Sequence, residues 1–196
     1  MAGLASSPAA PPDAAGAFVP VRVGMLSRRA PQLHRHLARL DDADRRARLG
    51  RPVAAPAVAD FCSRARIAEP LVIGGFVRGE LIASAELFAL PKDHLAVGRA
   101  GPIGDLMIAT ERPYRGRGVA MELVRALVRR AALCGIPLVR MDYDPDNVAM
   151  ARLTARLGAV HSRFRGLVRA EILTGWLSDG LVPLPAERQP GYRTLW

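Results

Sequence analysis

The chain of 196 residues is poor in several things that define common protein classes. Aromatic residues make up only 5%, and the two cysteines, Cys62 and Cys134, fit neither a metal-binding spacing nor a disulfide framework. No apolar stretch approaches the length of a membrane span. We therefore expect no disulfide-stapled fold, no metal site and no membrane association. Two cysteines of this kind predict a reducing, cytoplasmic compartment. Cys134 is expected to pack in the core.

Lysine is also nearly absent. Of 28 basic residues Lys92 is the only lysine, and the formal net charge is +10. The arginines are scattered rather than grouped in one tract, and few aromatic residues are available to stack on bases, so nucleic acid is an unlikely partner. The electrostatic field of this positive net charge would still attract a small polyanion.

The composition divides the chain into three parts. Residues 1–17 are rich in Ala, Pro and Ser, with no basic start and no continuous apolar core, so they predict a disordered leader rather than a signal peptide. Residues 18–181 are expected to form one domain, because half of all residues are hydrophobic. Residues 182–196, rich in Pro and Arg, predict a C-terminal tail.

The pattern of apolar residues predicts a mixed α/β (α+β) domain. A strand, a helix and a following strand at its centre imply one parallel pair with a right-handed crossover. Two β-rich runs around Arg78-Gly79 predict a hairpin. The predicted strands are 18–23, Leu71–Val77, Glu80–Leu90, Ile103–Thr110, Leu138–Tyr143, Val160–Phe164 and Leu167–Leu173; the predicted helices are 29–40, 57–67, 118–134 and 147–157, with a turn or short helix at 43–49.

The segment from Arg115 to Met121 (RGRGVAM) follows one of these strands and opens an amphipathic helix. A glycine-rich turn at a helix start leaves several backbone N–H groups without partners, and the helix dipole adds partial positive charge there. The segment therefore predicts a site for a phosphate-bearing cofactor.

Three cofactor patterns compete for this turn. A P-loop requires Gly-Lys-Ser/Thr, and Val119-Ala120 follows Gly118 instead. A dinucleotide fingerprint fits two glycines and Asp142, but Met121 takes the place of its third small residue, and such a turn normally follows the first strand. The third pattern, Arg/Gln-x-x-Gly-x-Gly/Ala, is met in full by Arg115, Gly118 and Ala120.

With its surroundings, this third pattern resembles the GNAT superfamily of acyl-CoA-dependent N-acetyltransferases. A second block, from Asp146-Asn147 to Gly158-Ala159, resembles the family's Asn-x-x-Ala-x-x-Leu-Tyr-x-x-x-Gly-Phe segment. The resemblance implies a mostly antiparallel central sheet with helices on both faces. It also implies a splayed parallel pair that holds acetyl-CoA. The cofactor-binding residues that follow from it are Ile108, Ala109, Thr110, Arg115, Gly116, Arg117, Gly118, Val119, Ala120, Met121 and Asn147.

Catalysis needs the attacking amine in its free form, so a carboxylate acting directly or through water is expected. The resemblance implies Asp105 and Asp142 as the bases, because they lie ten residues before Arg115 and five before Asn147, where relatives carry such carboxylates. Glu111 and Glu86 are further candidates. The resemblance places a thiolate-protonating tyrosine where Thr154 stands. Three alternatives follow: Tyr143 supplies the proton, a water does, or the thiolate leaves unassisted.

Together these patterns predict an N-acetyltransferase that moves an acetyl group from acetyl-CoA to a primary amine within a ternary complex. The acceptor is a small molecule or a peptide, and the last strands are candidates for a homodimer contact. A non-catalytic acyl-CoA-binding or sensory protein of the same fold is the first alternative. A nicotinamide-dependent enzyme and a nucleic-acid-binding protein are the others.

Overall fold

The computed structural model describes residues 21–27, 30–49, 51–64, 70–90 and 101–175. The leader, the tail and the loop residues 91–100 lie outside the described part. The strands are β1 (Arg22–Leu26), β2 (Leu71–Val77), β3 (Glu80–Leu90), β4 (Ile103–Thr110), β5 (Leu138–Tyr143), β6 (Val160–Phe164) and β7 (Leu167–Leu173). The helices are α1 (Pro31–Arg39), α2 (Asp42–Leu49), α3 (Val58–Arg64), α4 (Val119–Leu133) and α5 (Val148–Arg156).

All seven strands form one sheet in the order β1-β2-β3-β4-β5-β7-β6. Only β4 and β5 run parallel, joined by the crossover helix α4, and the other pairs are antiparallel. The predicted β2–β3 hairpin closes through Arg78 and Gly79, both with positive φ, as a tight two-residue hairpin turn requires. The predicted fold class is thus confirmed.

Helices cover both faces of this sheet. The apolar stripe of α4 lies against β2, β3 and β4 in the larger core, where Leu123, Val124, Leu127 and Val128 are fully buried. On the opposite face α1 and α3 build a smaller core around Leu33 and Leu37. No helix in the described ranges is long and apolar enough to cross a membrane.

Three expectations are corrected by the structure. The first strand runs over Arg22–Leu26 rather than ending at residue 23, because its ladder extends from Arg22–Phe76 to Leu26–Val72. Residues 18–20 of the expected strand lie outside the description. The helix expected over 57–67 is a 3-10 turn at Ala55–Ala57 followed by α3, and residues 65–69 lie outside the description. Cys134 is exposed rather than in the core. Helix α4 ends just before it, and Ile136 turns back into the core instead.

The parallel pair β4–β5 is short. Only three residue pairs join the two strands, the last being Asp105 with Arg140. Beyond that pair β4 continues over 106–110 and β5 over 141–143 with no described strand between them. We call the space between these two arms the cleft. The arrangement of β4 and β5 around it corresponds to the splayed parallel pair that the resemblance implied.

Candidate functional site

The glycine turn lies at the open end of the cleft. A 3-10 turn at Arg112–Tyr114 leads from β4 into it, and Gly116 and Gly118 take φ values of 73° and 80°. These left-handed conformations suit glycine and would strain other residues. A side-chain carbon placed on either glycine would meet no atom within 4 Å, so the turn faces open space in the described part of the protein.

The backbone N–H groups at the start of α4 are available to a ligand. The first hydrogen bond inside the helix joins the Glu122 N–H to the Gly118 carbonyl at 3.2 Å. The backbone N–H groups of Val119, Ala120 and Met121 therefore have no acceptor within the helix. Gly118, the N-cap residue, has no side chain to satisfy them. The helix dipole favours negative charge at this end. The geometry therefore suits a pyrophosphate, as the sequence predicted.

The arginines of the turn have different surroundings. The Arg115 Nε donates to the Thr110 carbonyl at 2.9 Å, and its Nη2 contacts Asp44 Oδ2 at 2.5 Å. Arg115 thus braces the turn against β4 and α2. Arg117 is exposed. The Arg115 side chain is therefore engaged within the protein, and the phosphate contact expected of Arg117 stays a prediction.

The end of β4 forms the first arm of the cleft. Ile108 packs against the larger core, on the α4 face, and Ala109 packs against the smaller core on the opposite face. The Thr110 Oγ1 atom is buried and has no hydrogen-bond partner among the described residues. Because buried polar groups are nearly always paired, this hydroxyl is a candidate ligand group.

Asn147 is the N-cap of α5. Its Oδ1 accepts a hydrogen bond from the Met150 N–H at 3.1 Å, and the side chain is partly buried. The cap alone accounts for an asparagine at this position. The cofactor contact that the resemblance implies for Asn147 stays a prediction.

Two substitutions separate these roles of Asn147. Asn147→Ala removes the cap and is expected to lower the free energy of unfolding by about 1 kcal/mol. Asn147→Ser keeps a capping hydroxyl, so it should leave stability near the wild-type value while weakening acetyl-CoA binding. Denaturant unfolding and calorimetric titration measure the two effects. Wild-type acetyl-CoA affinity in Asn147→Ser would limit Asn147 to capping.

The two predicted bases lie together at the closed end of the cleft. Asp105 pairs with Arg140 in the ladder, and Arg140 Nε donates to Asp105 Oδ1 at 2.9 Å. Asp142, two residues after Arg140 on the same face of β5, accepts two hydrogen bonds from Arg169 at 2.8 and 2.7 Å. The two carboxyl groups keep 29% and 24% side-chain exposure, so both are reachable.

The countercharges of these carboxylates come from residues that the sequence analysis did not single out. The hydrogen bond with Asp142 raises the pKa of Arg169 above its ordinary value, and the guanidinium also lies 3.6 Å from the ring centroid of Phe164. Glu171 lies opposite Arg140 on β7. Alternating charges on β5 and β7 were visible in the sequence, but their pairing depends on the register of the strands.

The two further candidates for the base, Glu86 and Glu111, are engaged in contacts that attach helices to the sheet. Glu86 is 3% exposed and forms a salt bridge with the buried Arg48 of α2. Glu111 accepts hydrogen bonds from His36 Nδ1 at 2.8 Å and from Arg39. Burial alone would raise the pKa of Glu111, but these hydrogen bonds outweigh it and lower the value. Both carboxylates therefore fasten helices to the sheet.

Tyr143 and Thr154 are in contact. The Tyr143 hydroxyl lies 3.2 Å from Thr154 Oγ1, and both side chains are buried on the α4–α5 face of the sheet. Thr154 Oγ1 also lies 2.9 Å from His161 Nε2, on β6. The sequence analysis named Tyr143 and Thr154 but gave no reason to connect them with His161.

The comparisons with known proteins agree with the fold. The family model described as "Acetyltransferase (GNAT) family" matches residues 37–159. Since this match covers more than half of the sequence, the chain belongs to the GNAT family of acetyltransferases. None of the curated proteins matches it significantly.

Solved structures of low sequence identity share the fold. The GNAT domain of S. lividans PAT is 21% identical with a TM-score of 0.64, and the match covers 78% of this chain and 90% of that one. A putative acetyltransferase from Acinetobacter baylyi ADP1 is 21% identical, with a TM-score of 0.59 and coverage of 80% and 94%. A mutant cAMP-binding acyltransferase from Mycobacterium smegmatis is 20% identical at a TM-score of 0.50, and the match spans 79% of this chain and 44% of that longer chain.

Proposed function

We propose that the protein transfers an acetyl group from acetyl-CoA to a primary amine by direct attack within a ternary complex. The observation that carries the proposal is the cleft itself, which opens after Asp105 and Arg140 and has the glycine turn at its mouth. A long substrate with a phosphate at one end and a reactive carbonyl at the other fits such a site.

The two ends of acetyl-CoA have different partners in this proposal. The pyrophosphate binds the N–H groups of Val119, Ala120 and Met121 at the start of α4. The pantetheine arm lies along 106–110 of β4, whose edge toward β5 has no described strand. A backbone N–H of that arm, within 108–110, polarises the thioester carbonyl as an oxyanion-type donor.

The amine approaches from the face of the sheet that carries Asp105 and Asp142. As its nitrogen attacks the carbonyl carbon, one of these carboxylates accepts the lost proton, directly or through water. Arg140 and Arg169 hold the two carboxylates in place.

Direct attack is preferred to a covalent enzyme intermediate. Cys62 is buried in α3 and Cys134 is at the end of α4, so neither cysteine lies on a cleft strand. A nucleophilic thiol would need a position beside the carbonyl and an activating neighbour.

The acceptor is either a small molecule or a peptide that presents a primary amine, and the reaction takes place in the cytoplasm. A homodimer through the last strands would use β6, which forms one edge of the described sheet.

The proposal is tested by titrating the purified protein with acetyl-CoA and NADH, and then by following CoA release with a panel of amines. We expect micromolar acetyl-CoA binding, no NADH binding, and release with at least one amine. Binding without release across the panel would favour a non-catalytic acyl-CoA-binding protein. NADH binding in place of acetyl-CoA would favour the dinucleotide alternative.

The double variant Asp105→Asn/Asp142→Asn tests the base. Loss of a positioned base is expected to lower kcat by about 10²-fold or more while acetyl-CoA affinity stays unchanged. The matched control is Asp60→Asn, which alters an exposed carboxylate on α3. Full turnover in the double variant would refute the assignment of the base without affecting the fold.

A further inference from the structure

Arg140 presents an unused edge of its guanidinium group at the closed end of the cleft. Its Nε donates to Asp105 Oδ1 at 2.9 Å, and this is the only side-chain hydrogen bond of Arg140 in the described part of the chain. Glu171, its neighbour on β7, forms no ion pair with it among the described residues. The two Nη nitrogens are not buried, and they carry four N–H donors without an acceptor in the described ranges.

Arg169 is engaged in a different way. Its Nε and Nη2 donate to the two oxygens of Asp142 at 2.8 and 2.7 Å, which is the paired geometry in which arginine binds a carboxylate most firmly. Its guanidinium group also lies over the ring of Phe164. Arg140, by contrast, uses only Nε on its protein partner, so its Nη edge is left for a second carboxylate.

The charges around Arg140 restrict what can bind there. Register partners, and residues two apart on a strand, face the same side of a sheet. One face therefore carries the charged side chains of Asp105, Arg140, Asp142, Arg169 and Glu171. Its carboxylates outnumber its guanidinium groups by one. Such a face repels a doubly charged anion, but it accepts a carboxylate that is accompanied by a cationic amine.

These groups follow one another along the cleft in the order that an amino acid requires. Arg140 is level with Asp105, and Asp142 lies two residues nearer the mouth, about 7 Å along β5. The backbone N–H groups assigned to the thioester carbonyl, within 108–110, lie nearer the mouth again. A carboxylate bound to Arg140 therefore brings an amine one carbon away beside Asp142, on the side of the thioester.

We propose that the Nη edge of Arg140 binds the carboxylate of the acceptor, and that the acceptor is a free α-amino acid. This inference rests on the proposed function, because it identifies the amine that attacks acetyl-CoA. A peptide N-terminus is a poorer match, since an amide replaces the carboxylate next to its amine. Arg140 thus has two contacts: Nε holds Asp105, and the Nη edge selects the acceptor.

Matched acceptors test this assignment. Each amino acid is compared with its amide, which keeps the amine without the carboxylate charge, and with the amine left by decarboxylation. In CoA-release assays with the wild type, kcat/KM should be about 10-fold to 100-fold higher for the acid, because a charge-assisted pair of hydrogen bonds is gained. Rates are expressed per unprotonated amine, since the three compounds differ in amine pKa. Calorimetric titration of the CoA-bound protein with the same compounds repeats the comparison without turnover.

Variants of Arg140 separate selection of the acceptor from support of Asp105. Arg140→Gln should lower kcat/KM for the acid to the value for the amide, mainly through KM, with a smaller change for the amide itself. Arg140→Lys keeps the charge without the two-nitrogen edge, so it should restore only part of the preference. The control Arg163→Gln removes an exposed arginine from the opposite face of the sheet and should keep the wild-type preference. Tm checks the folding of each variant.

The outcomes distinguish this inference from the proposed function. Equal kcat/KM for acids and amides in the wild type, or an equal loss for both in Arg140→Gln, would limit Arg140 to holding Asp105 and leave the proposed function standing. Acid-selective binding without CoA release would support the contact of Arg140 and overturn the transfer. Failure of the folded wild type to bind either acetyl-CoA or an amino acid would overturn both.

Discussion

Replacing Gly118 by glutamate is expected to weaken acetyl-CoA binding about 100-fold or more. The new carboxylate would stand in the open space above the turn, where we place the pyrophosphate, and would repel it. A side chain at a φ of 80° also strains the backbone by about 1–2 kcal/mol. Calorimetric titration with acetyl-CoA measures the loss.

Two further variants separate charge from strain. Gly118→Gln has the same size and the same backbone strain without the charge, so it should bind better than Gly118→Glu. Gly79→Glu adds the charge to another left-handed glycine, at φ 85° in the β2–β3 turn, which also has open space around it. It should bind as the wild type does. Wild-type affinity in folded Gly118→Glu would place the anion site elsewhere.

Removing the Glu86 side chain is expected to produce the largest loss of stability. Glu86→Ala leaves the Arg48 guanidinium buried between α2 and the sheet without its carboxylate, and breaking such a pair costs about 3–5 kcal/mol. The remaining described contact of that guanidinium is Met107 Sδ, at 3.0 Å, a weak acceptor. Denaturant unfolding measures the change, and Tm should fall by roughly 10 °C.

The pair Arg48→Met/Glu86→Leu is the matching control for buried charge. It replaces both ions by apolar side chains, so most of the lost stability should return. Glu122→Ala removes an exposed pair with Arg125 on α4 and should cost less than about 1 kcal/mol. A loss of that small size in Glu86→Ala would show that Arg48 finds another partner or water.

Local chemistry made much of the architecture predictable. Six of the seven strands have the predicted bounds, because alternating β-rich runs end at glycines, prolines and polar turns. The start of α4 was predictable for the same kind of reason, since an apolar stripe at helical spacing begins directly after the glycine turn. The local structure at the cofactor end of the site is therefore largely determined by residues that are adjacent in the sequence.

The acceptor end could not be predicted in the same way. The contacts of Asp105 with Arg140 and of Asp142 with Arg169 join residues 35 and 27 positions apart, and they exist only in one register of β4, β5 and β7. Cys134 shows that a local pattern can also mislead. Its apolar spacing continued the stripe of α4, but the helix stopped one residue too early for that spacing to matter.

The diverging arms of the cleft also bear on aggregation. Unpaired strand edges are templates for foreign strands, and 106–110 and 141–143 add two such edges inside the molecule. An intruding strand would need about 10 Å between the arms, twice the usual strand spacing, along its whole length. Two arms that are still paired at Asp105 and Arg140 cannot offer that width along their whole length. The same divergence that admits a thin, flexible ligand thus keeps these edges from recruiting another polypeptide.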